Sequence, residues 1–303
     1  MINNNSILKQ KQHIIQLKNN QTRIQRLFTF NPKIQNNICD CGRYIQLNTK
    51  RNYETTEIKK EVEQAYTCKY RYCPLCNYYR ICSISPQMIK ALERQQKKGF
   101  NILFLTLTVP NCQYSDLRKT ISNMNKAFKR LTEKNFFKSV EAWIRTTEVT
   151  FNTKGEAHPH FHIALSVNDN YLKGKDYKTT REWSQIWAKS YKIDRPLIVD
   201  IRKAYKSKKH SKRDLDIHST VKELAKYCIK STDLQRIKNP SNMEIIFNQL
   251  KGLRFIATSQ NIRLSEDKKE ELNPNDWELI ESIILKYYPD MKQYLHHKTV
   301  SKK

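Results

Sequence analysis

The sequence predicts an α+β fold, a sheet-and-helix domain preceded by a small cysteine-bound subdomain, and three observations carry that expectation. From Asn101 to Asp233, β-branched and aromatic runs alternate with amphipathic stretches in the order strand, helix, hairpin, helix, strand, helix. Five cysteines lie between Cys39 and Cys76 at ligand-type spacing. Three of the eight histidines fall within the five positions from His158 to His162.

A chain of 303 residues is long enough for a sizeable core and for two domains. Lys and Arg number 56 against 29 Asp and Glu, a formal charge of +27, which points to a polyanionic partner. Nucleic acid ranks ahead of a membrane because no strongly amphipathic basic helix stands out. No apolar stretch reaches the length of a bilayer span, and the Asn/Gln-rich amino terminus has no hydrophobic signal core, so the expected location is cytoplasmic. In that compartment clustered cysteines read as thiolate ligands rather than disulfides.

Residues 1–35 read as a polar tail or a loosely held helix, with weak periodicity around Ile14, Ile15 and Leu17. Residues 36–98 hold the cysteines and a linking helix. Cys39-Asp-Cys41 precedes Cys68-Lys-Tyr-Arg71-Tyr-Cys73-Pro74-Leu-Cys76, whose Cys-Pro-x-Cys turn brings two sulfurs round one ion. The favoured tetrahedral zinc set is Cys41, Cys68, Cys73 and Cys76, with Cys39 as the alternative to Cys41. A zinc clip that only staples a subdomain fits the same residues. Cys82, Cys112 and Cys228 lack ligand-spaced partners and read as buried thiols. Ile and Leu spacing from Pro86 to Lys98 predicts the linking helix, ended by Gly99.

Residues 99–238 form the main domain. Asn101 to Val109 is a central strand, and Ser115 to about Glu133 a helix with Leu117, Ile121, Met124, Phe128 and Leu131 on one face. Trp143–Phe151 and Pro159–Val167 are strands joined by the turn residues Asn152 to Gly155. Alternation along His158-Pro-His160-Phe-His162 projects His160 and His162 from one face, with Phe161 and Ile163 on the other, a geometry for two neutral imidazoles on one divalent metal. Glu148, across the hairpin, is either a third ligand or a surface acid. Thr179–Tyr191 is a helix that buries Trp183 and Trp187, Pro196–Ile201 a strand, and 203–213 a lysine-rich loop. His218–Asp233 reads as one helix that starts near Ser219 or Thr220, with Glu223 as its capping-box acid. Glu223, Tyr227 and Lys230 then share a face. They form either a polar network on a surface helix or, beside a metal, a phenol nucleophile next to an ammonium. Residues 239–303 are an extension of unknown role, with a strand near Leu253–Thr258 and a helix from Trp277 to Tyr288.

Phe104-Leu-Thr-Leu-Thr-Val109, His158-Pro-His-Phe-His162 and Lys226-Tyr-Cys-Ile-Lys230-Ser-Thr-Asp233, in that order, resemble the three motifs of bacterial plasmid rolling-circle replication initiators, a single-tyrosine branch of the HUH endonuclease superfamily. The pattern Cys68-x-x-Arg71-x-Cys73-Pro74-x-Cys76 is similar to the cysteines that precede the first motif there. The resemblance spans about residues 36–235. It implies an antiparallel-sheet, ferredoxin- or RRM-like nicking domain, with Mg²⁺ or Mn²⁺ on His160 and His162. It also implies Tyr227 as the nucleophile that forms a 5′-phosphotyrosine, and Glu223 as activator of the water that ends a round. Implied partners are origin DNA, duplex and single-stranded, with host helicase and polymerase, and self-association is open. Two other readings stand beside it: an HUH transposase or relaxase sharing the site, and a non-catalytic zinc-dependent nucleic-acid-binding protein.

Overall fold

The computed structural model of the chain describes residues 4–174, 176–205, 215–225, 229–264 and 276–300. In chain order its elements are α1 (Asn4–Gln25), α2 (Pro32–Asp40), β1 (Tyr44–Asn52), β2 (Ile58–Ala65), α3 (Pro74–Lys97), β3 (Asn101–Thr108), β4 (Cys112–Gln113), α4 (Leu117–Thr132), β5 (Val140–Phe151) and β6 (Glu156–Val167). They continue with α5 (Asp169–Lys173), α6 (Thr180–Tyr191), β7 (Val199–Tyr205), β8 (Leu215–Asp216), α7 (Ile217–Leu224), α8 (Ser231–Leu234), α9 (Pro240–Leu250), β9 (Ile256–Thr258), β10 (Trp277–Tyr288) and β11 (Gln293–Thr299). The chain divides into two units, residues 1–79 with 266–303, and residues 80–265. Among the described residues no helix is long and apolar enough to cross a membrane.

The first unit is built on an antiparallel sheet of order β11-β10-β1-β2. Its composition corrects two expectations. Trp277–Tyr288 is a strand, not a helix, and it pairs with β1 so that Leu47 faces Ile283 and Thr49 faces Glu281. The extension after residue 239 therefore supplies half the sheet of the cysteine-bearing unit. The amino terminus is likewise no loose tail: α1 buries Leu17 and Ile24. Lys18 Nζ donates to the carbonyl of Cys41 at 2.7 Å, and Gln21 Nε2 donates to the carbonyls of Ile38 and Cys41. The linking helix is longer than its periodicity suggests, starting at Pro74 and running through Pro86.

The second unit holds a seven-stranded sheet of order β8-β7-β3-β6-β5-β9, with β4 paired to β6. All pairings are antiparallel except β7 with β8. Because side chains alternate across a strand, β3 and β6 each serve two cores. Leu103, Leu105, Phe161 and Ile163 face α4 and α6, where Met124, Phe128, Trp183 and Trp187 pack on them. Ile102, Phe104 and Ala164 face the other way, onto Met88 and Leu92 of α3 and Ile217, Val221 and Leu224 of α7. Helices on both faces explain why β6 is buried along most of its length.

Candidate active site

The second face of this sheet changes from apolar to polar towards one end, and the change follows register. Thr106 lies opposite His162, and Thr108 opposite His160, on β3. On the other flank Thr146 lies opposite His162, and Glu148 opposite His160, on β5. The even positions of three neighbouring strands thus converge, with Phe104 stacked on the His162 ring at 5.6 Å to close the apolar side.

Glu148 Oε2 sits 2.8 Å from His162 Nε2 and 3.2 Å from His160 Nε2, and Glu148 itself is 3% exposed. Cis ligands about 2.1 Å from one small cation stand about 3.0 Å apart, so these spacings fit a shared ion. The far ring nitrogens support the same fit. His160 Nδ1 lies 3.2 Å from the carbonyl of His158, which can only accept, so Nδ1 donates there and Nε2 is the ring atom that faces Glu148. Two acceptors face each other there unless a proton or a cation lies between them. His162 Nδ1 is 3.2 Å from Thr106 Oγ1. Glu148, His160 and His162 form one of two groups among the described residues that could hold a metal ion.

Lys230 Nζ reaches Glu148 Oε1 at 2.7 Å, from the short segment before α8. Burial drives the Glu148 carboxyl upward, but hydrogen bonds from His160, His162 and Lys230 outweigh it and hold the carboxyl well below the usual range. For Lys230 burial works downward, while the bond to Glu148 and the charges of Glu148, Asp233 and Glu223 prevail and raise it. Asp233 is itself raised, chiefly by burial, and its neighbour Arg236 donates to the Phe151 carbonyl at 3.0 Å, tying this segment to the end of β5.

The third motif departs from the expected single helix. α7 is capped by Asp216, which accepts from the Ser219 N–H at 2.6 Å, so neither Ser219 nor Thr220 is the cap and Glu223 is not its capping-box partner. The helix stops at Leu224, where the Ala225 N–H returns to the Val221 carbonyl at 2.7 Å. Glu223 is half-buried in the last turn, and Lys230 comes to the site on a separate segment rather than along the same helix. Tyr227 and Cys228 lie outside the described residues. Of the remaining thiols expected to be buried, Cys112 is half-buried and Cys82 is exposed.

The second potential metal group is Cys41, Cys68, Cys73 and Cys76, in the first unit. Cys41 Sγ is 3.4 Å and Cys68 Sγ 3.6 Å from Cys76 Sγ, close to the edge of about 3.8 Å in a tetrahedral shell with Zn–S bonds of about 2.3 Å. Backbone N–H groups of Cys68 and Lys69 donate to the sulfurs of Cys41 and Cys76. The start of α3 carries Cys76, whose thiol is pushed down by hydrogen bonds from Cys41, Cys68 and Cys73. Cys39 is exposed and lies outside the group. This four-cysteine cluster is compatible with a small zinc-binding subdomain. Sequence reasoning missed Thr106 and Lys18, the polar supports of the two groups. Thr106 carried a signal, being a hydroxyl at an alternate position of an otherwise apolar strand.

Comparison with known proteins sets these groups in a family. A model described as replication protein matches residues 59–299. Protein rep of Lentilactobacillus hilgardii is 30% identical over 227 residues, 74% of this chain and 70% of that protein. Protein rep of a Bacillus species is 34% identical over 213 residues, 66% of this chain and 67% of the relative. A replication protein of Staphylococcus aureus is 30% identical over 199 residues, 64% of this chain and 83% of the relative. No solved structure matches the chain. Both candidate metal groups fall wholly or largely within the matched residues, and the chain belongs to the replication protein family.

Proposed function

We propose that the chain is a plasmid rolling-circle replication initiator that binds its origin, nicks one strand and rejoins it through a 5′-phosphotyrosine. The observation that carries this reading is the convergence of Glu148, His160, His162 and Lys230 on one point of the sheet, in a chain whose third motif places Tyr227 three residues before Lys230.

Glu148, His160 and His162 would hold Mg²⁺ or Mn²⁺, the carboxylate oxygen being the donor these hard ions prefer and the two imidazole nitrogens favouring Mn²⁺ over Mg²⁺. Bound there, the ion would supply Lewis acidity to polarise the scissile phosphate and offset charge developing on its oxygens. The Tyr227 phenolate, its proton released to solvent, attacks phosphorus, and the bond from phosphorus to the 3′ oxygen breaks. That oxygen takes a proton from solvent and leaves as the 3′-hydroxyl of the upstream segment, and the 5′-phosphate of the downstream segment stays on the tyrosine. Lys230 keeps an ammonium beside the site, supporting loss of the phenolic proton from a group whose ordinary pKa is about 10. Glu223, whose charge is felt at Lys230, would activate the water that releases the strand at the end of a round. The four cysteines would hold structural zinc. The excess of basic residues suits origin DNA, with host helicase and polymerase acting on the nicked product.

The test is cleavage of end-labelled single-stranded origin DNA with and without Mg²⁺ or Mn²⁺. The expected result is a metal-dependent cut with protein attached to the 5′ end. A cut that persists in chelator, or none in any metal, refutes the reading.

A further inference from the structure

The two faces of the β11-β10-β1-β2 sheet differ in chemistry, and the site above uses neither. Register places Ile45, Leu47, Ile283 and Leu285 on one face, and Tyr44, Gln46, Ile284, Lys286, Leu295 and Lys298 on the other. The second face sets lysines and rings around the two aliphatic residues Ile284 and Leu295. Lys286 Nζ lies 5.9 Å from the Tyr44 ring centre and 5.3 Å from that of Tyr288, and the His297 ring stands 5.5 Å from Tyr44. Further along, Lys59 Nζ lies 6.0 Å from the Trp277 ring centre. Tyr44 is 38% exposed, although its neighbours give it an apolar and cationic setting. Ion pairs on this sheet join Lys50 to Glu61 and Arg51 to Glu278, and none among the described residues uses Lys286 or Lys298.

We propose that this face is a docking surface for single-stranded DNA, with bases stacked on Tyr44 and Tyr288 and phosphates met by Lys286 and Lys298. Charge complementarity selects a polyanion, because cations resting on rings rather than on carboxylates keep their charge available. The rings select a single strand: unpaired bases have open π-faces to stack, whereas a duplex keeps them inside. The Gln46 amide on this face donates to Ser282 Oγ at 2.9 Å, so recognition rests on the rings and the lysines. The residues after Trp277 thereby acquire a role, since β10 and β11 carry most of this surface. The proposal rests on the nicking reading for its substrate and adds a second surface that holds a single strand.

Fluorescence anisotropy tests it with the full chain and three labelled probes: a single strand of origin sequence, its duplex, and an abasic strand of equal length. Tyr44→Ala should weaken single-strand binding at least about fivefold, within the range for loss of one stacked base. The abasic strand should bind the unaltered protein more weakly, and Tyr44→Ala should cost it less than about twofold. Lys286→Gln should lower the salt dependence of binding by about one phosphate contact for the single and abasic strands alike. Zinc content and circular dichroism report whether each variant is folded, and Tyr288→Ala replaces Tyr44→Ala should the latter lose zinc. Unchanged single-strand affinity in a folded tyrosine variant overturns the proposal, as does a loss shared equally by intact strand, abasic strand and duplex. If the protein cuts DNA while these variants bind normally, the surface is refuted and the nicking reading stands. If binding follows the prediction and no cut occurs in any metal, the nicking reading fails and the surface stands.

Discussion

Glu148→Gln keeps the shape of the side chain and removes its charge, which makes the site's electrostatics measurable without DNA. Glu148 is 3% exposed and its carboxyl is held well below the ordinary range by His160, His162 and Lys230. A carboxyl depressed in the folded state contributes stability that is complete above its unfolded value of about 4.3 and is lost as pH falls below that. With the folded value far lower, linkage gives a loss of about 1 kcal/mol between about pH 5 and about pH 3.5. For a unit of this size that corresponds to a shift of about 2–4 °C in Tm. The assay is thermal unfolding in chelator, followed by circular dichroism, for the wild-type and Glu148→Gln proteins across that range. The stability difference between them should shrink by about 1 kcal/mol as pH falls. Parallel curves would mean that Glu148 is not held by the imidazoles and Lys230, and would remove the physical basis of the site.

His160→Ala with His162→Ala should abolish metal-dependent cleavage while leaving duplex binding within about twofold, since phosphate contacts carry most of that affinity; gel-shift and cleavage assays run together decide it. Thr106→Val should lower Mn²⁺ affinity about tenfold by titration, and Thr106→Ser should restore it, because the hydroxyl partner of His162 Nδ1 orients the ring. Tyr227→Phe should eliminate both the cut and the covalent adduct, whereas Glu223→Ala should retain both and accumulate products longer than one plasmid unit. Glu223 is not the helix cap, so equal loss of nicking and termination in Glu223→Ala would rule out a dedicated hydrolytic role. Metal analysis should find about one zinc per chain, and Cys73→Ser should lose it together with the circular dichroism of the first unit.

The parts legible in the sequence are those where a local period coincides with what the fold buries. His160 and His162 could be paired from alternation alone, and a short turn at Asn152–Gly155 was enough to bring Glu148 opposite His160. Leu117 to Leu131 and the Trp183–Trp187 pair likewise declared their buried faces. Where a bulge or a distant partner intervenes, the pattern misleads. Trp277, Ile280, Ile283, Ile284 and Tyr287 fall at helical spacing, yet they belong to a strand whose pairing slips between Thr49 and Lys50, leaving Ile280 as the extra residue that breaks the alternation. The end of α7 at Leu224 carried no Gly or Pro to announce it. The path of Lys230 to Glu148 depends on contacts across the fold that no window of sequence contains.

The pairing of β1 with β10 also governs how the protein is made. Thr49 must wait for Glu281, roughly 230 residues later, and at about 5–20 residues per second a ribosome takes roughly 10–50 s to deliver it. During that interval β1 has β2 on one side and an open row of amides and carbonyls on the other, the edge from which strands of separate chains associate. The second unit, whose residues run continuously from 80 to 265, is synthesised within the same interval, and every described strand of its sheet lies in that run. The second unit can therefore fold while the first is still open, and the sheet of the first unit closes only when β10 arrives.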